Sequence, residues 1–183
     1  MKKYIALLRG INVSGKNSIK MAQLRAMFGA AGFKSVKTYI QSGNVLFFSE
    51  NDNPGELEVL IEKQIEKDFG FCVPVMVFAL DDFQKTVQDN PFLSNETLDN
   101  SYLHITFLDA GFKSQQETKL SLQMQNGERY FLSEKAIYIY CPNGYGKTKL
   151  TNNYIEKVFK TRATTRNLKT VLKLLEMSAE NTA

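Results

Sequence analysis

Arg9-Gly10-Ile11-Asn12-Val13-Ser14-Gly15-Lys16-Asn17 is the stretch on which the fold turns. It leaves the apolar run Tyr4-Ile5-Ala6-Leu7-Leu8, turns on two glycines, carries two cations and delivers the chain to an amphipathic helix beginning near Ser18. Backbone N–H groups in such a turn, beside a helix N-terminus, form a natural anion site. The run before it reads as a buried strand, because it is short and continuously apolar. After it, Met21, Leu24, Met27, Phe28 and Ala31 fall on one helical face, and Gly32 ends the helix.

Outward from there the pattern continues. Val36 to Gln41 is rich in β-branched and aromatic residues, Ser42-Gly43 reads as a two-residue hairpin turn, and Asn44 to Phe48 returns as a strand. Asn53-Pro54-Gly55-Glu56 opens a helix with Asn53 as N-cap, and Leu57, Leu60, Ile61 and Ile65 form its expected buried stripe up to Gly70. Val73 to Phe78 is a strand with a proline near its start. The order is β-α-β-β-α-β, the split βαβ pattern of ferredoxin-like domains.

The second half begins with a helix containing Phe83 and Val87 and ended by Asn90-Pro91. Tyr102 to Leu108 alternates, with Leu103, Ile105 and Phe107 on one side and His104 on the other. Ser114 to Glu117 is a capping box for a helix through Met124, and Arg129 to Leu132 and Ala136 to Cys141 form a hairpin. Tyr154, Ile155, Val158 and Phe159 define one more helix, and Leu168, Val171, Leu172 and Leu175 a last one. The expected fold is therefore α+β with two ferredoxin-like subdomains, residues 1–80 and 81–183. The second is a degenerate copy that lacks its closing strand.

Charge is unevenly placed. Residues 1–49 hold eight Lys/Arg and no Asp or Glu, residues 50–141 seven basic and sixteen acidic, and residues 142–183 eight basic and three acidic. Two basic ends flank an acidic middle. They are either scattered over solvated surface or gathered by the fold into one positive face. Lys147, Lys149, Lys157, Lys160 and Arg162 lead into a last helix on which Arg166, Lys169 and Lys173 form a stripe. Tyr138 and Tyr140, opposite Ile137 and Ile139, and Tyr39 on the first sheet are available for base stacking, although Asn44 to Phe48 does not match the RNP1 pattern of RNA-recognition domains.

Several chemistries are disfavoured. Gly10-x4-Gly15-Lys16 resembles a P-loop, but Asn17 stands where Mg²⁺ binding needs Ser or Thr. Gly144-Tyr145-Gly146-Lys147-Thr148 has the Gly-Lys-Thr, but Cys141 stands at the first glycine. One histidine, two distant cysteines and no clustered carboxylates argue against zinc or a catalytic triad. Cys72 and Cys141 read as small buried hydrophobes, and Ser14 with Lys16 forms no more than a spacing. No signal-peptide pattern or apolar run near 18 residues occurs, so a cytoplasmic protein with no membrane span is expected.

Arg9-Gly10-Ile11-Asn12-Val13, Gly15-Lys16-Asn17, Met21, Leu24, Gly32-Phe33, Val36 and Thr38 to Val45, with Ala163 to Leu168 and Thr170-Val171, resemble the bacterial domain-of-unknown-function family 1697. Ser14 stands where that family usually has glycine, and Leu168 where it often has tryptophan. The resemblance implies two related α+β subdomains and no established activity. Both motifs combine Arg or Lys with Asn and a helix start. The expected site is a basic cleft between the subdomains, built by Arg9, Gly10, Asn12, Gly15, Lys16, Asn17, Lys147, Arg166 and Asn167, that takes a polyanion such as nucleic acid or a nucleotide. An enzyme acting on a small phosphorylated substrate, with Lys16 as electrostatic catalyst, and a protein-interaction module are the alternatives. No cofactor or metal is called for.

Overall fold

A computed structural model describes every residue except Ser14, residues 110–116 and residues 181–183. In the first half, β1 (Lys2–Leu8), α1 (Met21–Ala30), β2 (Lys34–Tyr39), β3 (Asn44–Ser49), α2 (Pro54–Phe69) and β4 (Val75–Ala79) follow the expected β-α-β-β-α-β order. The strands form one sheet in the order β2-β3-β1-β4, with every neighbouring pair antiparallel. Asn53 caps α2 as its sequence predicts, with Oδ1 accepting from the amides of Gly55 and Glu56, and Gly70 ends the helix in the left-handed conformation.

The second half repeats this plan in full. After α3 (Leu80–Gln88) come β5 (Leu103–Leu108), α4 (Glu117–Ser121), β6 (Arg129–Leu132), β7 (Ala136–Tyr140), α5 (Asn152–Phe159), β8 (Ala163–Asn167) and α6 (Leu168–Ala179). Their sheet runs β6-β7-β5-β8, again antiparallel throughout. The expected loss of the closing strand is thus corrected: Ala163-Thr164-Thr165-Arg166-Asn167 is that strand, paired from His104↔Asn167 to Leu108↔Ala163. Its four polar side chains hid it, but three β-branched or small residues suit a pleated edge. Each half is therefore β-α-β-β-α-β followed at once by a helix, α3 or α6. The capping box at Ser114 lies outside the described residues, and α4 ends at Ser121 rather than Met124.

Contacts divide the chain into two compact units, one of Met1–Gln84 with the chain from Leu174 on, the other of Lys85–Lys173. Both divisions fall inside helices, α3 and α6. In the first unit, Tyr4, Ala6, Leu8, Val45, Phe47, Val75 and Val77 turn one sheet face towards Leu24, Met27 and Phe28 of α1 and Leu57, Ile61 and Ile65 of α2. Phe47 lies 4.6 Å from Phe33 and 5.4 Å from Phe28, ring centroid to centroid. In the second, Leu108, Ile137, Ile139 and Ala163 meet Leu120 of α4 and Ile155, Val158 and Phe159 of α5.

Two helical stripes are rotated from their expected faces. Leu60 is exposed, and Glu58 takes the buried position beside Leu57, Ile61 and Ile65. In α6, Leu172 is exposed and Leu174 is buried with Leu168 and Val171. The α2 case has a visible cause. Glu58 Oε1 accepts the amide of Val77 at 2.8 Å and Glu62 Oε1 that of Val75 at 2.9 Å, so α2 turns two carboxylates onto the outer edge of β4. The second unit does the same, with Glu156 Oε1 of α5 accepting the amide of Ala163 on β8 at 3.0 Å. The last turn of α6 is held in the first unit: Lys3 donates to Ser178 O, and Lys37 pairs with Glu180 at 3.1 Å.

Candidate functional site

The glycine loop is a tightly bonded structure. Gly10, Asn12, Gly15 and Asn17 all take positive φ, between 49° and 75°, a conformation open to glycine and tolerated by asparagine. The carboxamide of Asn12 is fully used. Its Nδ2 donates to Ile19 O at 3.0 Å and Gln41 O at 2.8 Å, while its Oδ1 accepts the amide of Ile19 at 2.9 Å. Asn12 N donates to Asn17 O, and Asn17 Nδ2 to Gly10 O at 3.2 Å. Asn12 and Asn17 are therefore staples of the loop itself, not spare hydrogen-bonding groups. Ile11 and Ile19 anchor it in the core.

Beside it lies the β2–β3 turn. Tyr39 pairs with Asn44, so the connection has four residues, Ile40 to Gly43, rather than the two expected. The buried carboxamide of Asn44 closes it by donating to Tyr39 O and Ser42 Oγ. Gly43 (φ 77°) passes so close to the end of β1 that a Cβ there would sit 2.6 Å from Leu8 Cβ and 2.8 Å from Ile11 Cδ1. Leu8 N donates to Gly43 O at 2.8 Å. Loop and turn are one packed assembly.

Around that assembly the exposed side chains are cationic or aliphatic. Lys16, Lys20 and Arg25 are exposed, and Arg25 reaches Thr38 Oγ1 at 2.7 Å, at the end of β2 that leads into the turn. Arg9 is half-buried. Helix α1 begins at Met21 with Lys20 in the cap position, no side-chain cap and no acidic residue in its first turn. Its leading amides are thus offered to an external acceptor. Val13 is 58% exposed and Ile40 47%.

The remaining expected site residues, Lys147, Arg166 and Asn167, lie in the second unit. Lys147 is exposed at the end of the short 3-10 turn Tyr145–Lys147, and its carbonyl accepts from Gln125 Nε2 at 2.7 Å. Arg166 is on β8 rather than in the last helix, and only 9% exposed. Its Nη1 donates to Thr164 Oγ1 and Thr165 O, both at 3.0 Å, and burial lowers its pKa to about 10, a shift opposed by Tyr145. It remains charged at neutral pH but presents no charge to solvent, so it leaves the basic stripe expected of α6. Asn167 caps α6, with Oδ1 accepting the amide of Lys169 at 2.8 Å and Nδ2 donating to Ser101 O at 2.9 Å.

Sequence reasoning set His104 apart from the core, yet it is 9% exposed on the face that carries Ile139. Both faces of β5 are buried, so alternation there does not separate core from surface. The imidazole stacks on Tyr145 at 4.7 Å. Its Nδ1 lies 3.1 Å from Tyr102 O and so carries the proton, while Nε2 faces Asn167 Nδ2 at 3.4 Å. Burial lowers its pKa, against the opposing hydrogen bond to Tyr102 O. Tyr138, expected as a stacking surface, is fully buried with its hydroxyl donating to Thr86 O at 2.6 Å.

Neither lysine loop has P-loop geometry. The helix after Lys16 starts at Met21, the one after Lys147 at Asn152, and both sheets are antiparallel. Among the described residues, no three His, Cys, Asp or Glu gather as a metal site, and no helix is long and apolar enough to cross a membrane. What sequence reading left out of the site is Gln41 and its neighbour Ile40. The Thr38 to Val45 stretch was visible as a motif, but nothing in its residue types shows that Asn12 bonds it to the glycine loop.

No curated protein matches the chain. A solved structure that it resembles is described as a conserved bacterial protein, SP0830, from Streptococcus pneumoniae. That protein is 27% identical, with a TM-score of 0.74, over 96% of this chain and 98% of the other. The model of a family described as a protein of unknown function, DUF1697, matches residues 1–138, which include the glycine loop, the β2–β3 turn and the whole of β1, β3 and β5, and the chain belongs to that family.

Proposed function

We propose that this protein binds a polyanion, nucleic acid or a nucleotide, on the basic surface that its first unit builds around the glycine loop. The observation that carries this reading is charge: residues 1–49 hold eight Lys/Arg and no acidic residue, and Lys16, Lys20 and Arg25 stand exposed around one loop–turn assembly. Cations held on a bonded scaffold engage phosphates with little ordering cost, and release of condensed counterions drives the association. The uncapped start of α1 adds amide donors of the right polarity. Arg166, buried, is no part of this surface.

Fluorescence anisotropy of labelled oligonucleotides across a salt series tests it. Log affinity should fall with log salt at about −0.7 per phosphate contact for a single strand, and Lys16→Ala should flatten the slope by about one contact. No binding at low salt to oligonucleotides or mononucleotides would end this reading.

A further inference from the structure

Resting on that reading, the geometry points to single-stranded nucleic acid as the polyanion, with Ile40 and Val13 as the apolar contact for its unpaired bases. The two residues lie on the segments that the Asn12 Nδ2 to Gln41 O bond joins, Val13 following Asn12 in the glycine loop and Ile40 preceding Gln41 in the turn. Both are largely exposed, and cations flank them: Lys16 three residues after Val13, Arg25 bonded to Thr38 two residues before Ile40. An aliphatic pair framed by positive charge suits a ligand that alternates phosphate with apolar surface. A duplex keeps its base faces stacked inside and offers mainly phosphate and sugar, whereas an unpaired strand exposes each base face.

A second observation is independent of exposure. Ile40 has φ 48°, left-handed backbone that a β-branched side chain strongly disfavours. Asparagine takes that conformation twice in the neighbouring loop, at Asn12 and Asn17, and glycine takes it three residues later, at Gly43. At position 40 an isoleucine carries the backbone cost while nearly half of it remains in solvent, so burial does not offset the cost. Strain retained at an exposed position marks Ile40 as a candidate contact residue for an external ligand.

The test uses the full chain, a labelled twelve-nucleotide single strand and its duplex, and the variants Ile40→Gly and Val13→Ser. Ile40→Gly relieves the strained backbone, so the thermal midpoint should rise by about 2 °C. The same variant should weaken single-strand binding by at least about fivefold. Its salt slope should stay unchanged, because no phosphate contact is removed. Val13→Ser should weaken binding in the same way with no gain in stability. Unchanged affinity in both variants, or a duplex bound as tightly as the strand, overturns the assignment of unpaired bases while leaving polyanion binding intact. Absence of any oligonucleotide binding removes both readings together. Ile40-dependent binding to vesicles of anionic lipid, with none to oligonucleotides, gives the surface to a membrane and likewise overturns the assignment.

Discussion

Asn12 holds Gln41: its Nδ2 donates to the Gln41 carbonyl at 2.8 Å, across 29 residues of chain, and so locks the glycine loop to the β2–β3 turn. The same carboxamide makes two further bonds with Ile19. Asn12→Ala removes three hydrogen bonds and strands polar backbone groups at the edge of the core. The expected loss is about 2–3 kcal/mol, read as a shift of the urea midpoint with little change in m. Asn12→Asp keeps the Ile19 amide bond but sets a carboxylate oxygen against the carbonyls of Ile19 and Gln41, so it should be at least as destabilising as Asn12→Ala.

Gly43→Ala places a methyl group 2.6 Å from Leu8 Cβ on a backbone of φ 77°. Neither Leu8 nor Ile11 can retreat easily, as both are buried. Destabilisation of about 2–4 kcal/mol is expected from steric overlap and left-handed strain together. A variant as stable as the parent would mean that the loop and turn move apart at little cost.

His104 gives the fold a one-sided pH dependence. Burial lowers its folded pKa below the unfolded value of about 6.5, so between the two the unfolded chain binds the extra proton. Stability from the neutral imidazole is fully present above that unfolded value and is lost as pH falls through the folded one. Protonated Nε2 would also turn a second donor towards Asn167 Nδ2, loosening the cap of α6. Denaturation midpoints of the wild type should drop more steeply below pH 6.5 than those of His104→Gln.

Arg166→Met separates structure from binding. The guanidinium is buried and bonded to Thr164 and Thr165, so its loss should destabilise the second unit measurably. The salt slope of oligonucleotide binding should not change, in contrast to Lys16→Ala. A flattened slope in Arg166→Met would place a buried cation in the binding surface and contradict the geometry.

The two thiols should differ in access, and neither is activated. Cys141 is buried and its pKa is pushed up to about 12, by burial first and then by Glu128, with Thr148 opposing. Cys72 is exposed, but its hydrogen bond to Glu66 and the charge of that carboxylate raise its pKa. A disulfide-exchange reagent at pH 8 should therefore titrate one slow thiol in the native protein and two in denaturant.

Much of this architecture was legible in the residues. The first half announced itself through period: the apolar run of β1, the Asn53-Pro54 start and Gly70 stop of α2, and the alternation of β3. The second half was harder because Ala163 to Asn167 is mostly polar, and its strand character comes from pairing with β5 and from the Glu156 bond rather than from apolar patterning. Missing this strand also carried Arg166 into α6 and onto the surface. At the site, residue types and spacing located the glycine loop but not what its asparagines do. Whether a carboxamide faces a ligand or its own backbone depends on carbonyls far away in sequence, such as Gln41 O. Leu60 was misplaced because α2, packed through the carboxylates of Glu58 and Glu62 on a strand edge, rotates away from its apolar optimum.

The carboxylates of Glu58 and Glu62 on β4, and of Glu156 on β8, have a consequence for assembly. A sheet grows across molecules by templating at both margins, each incoming strand exposing a new one. With one margin of each sheet already occupied by the protein's own acidic side chains, an added strand meets a terminus on the far side. Strand addition to either sheet is therefore self-limiting, and removing these three glutamates should increase edge-to-edge association, read as a rise in light scattering with concentration relative to the parent chain.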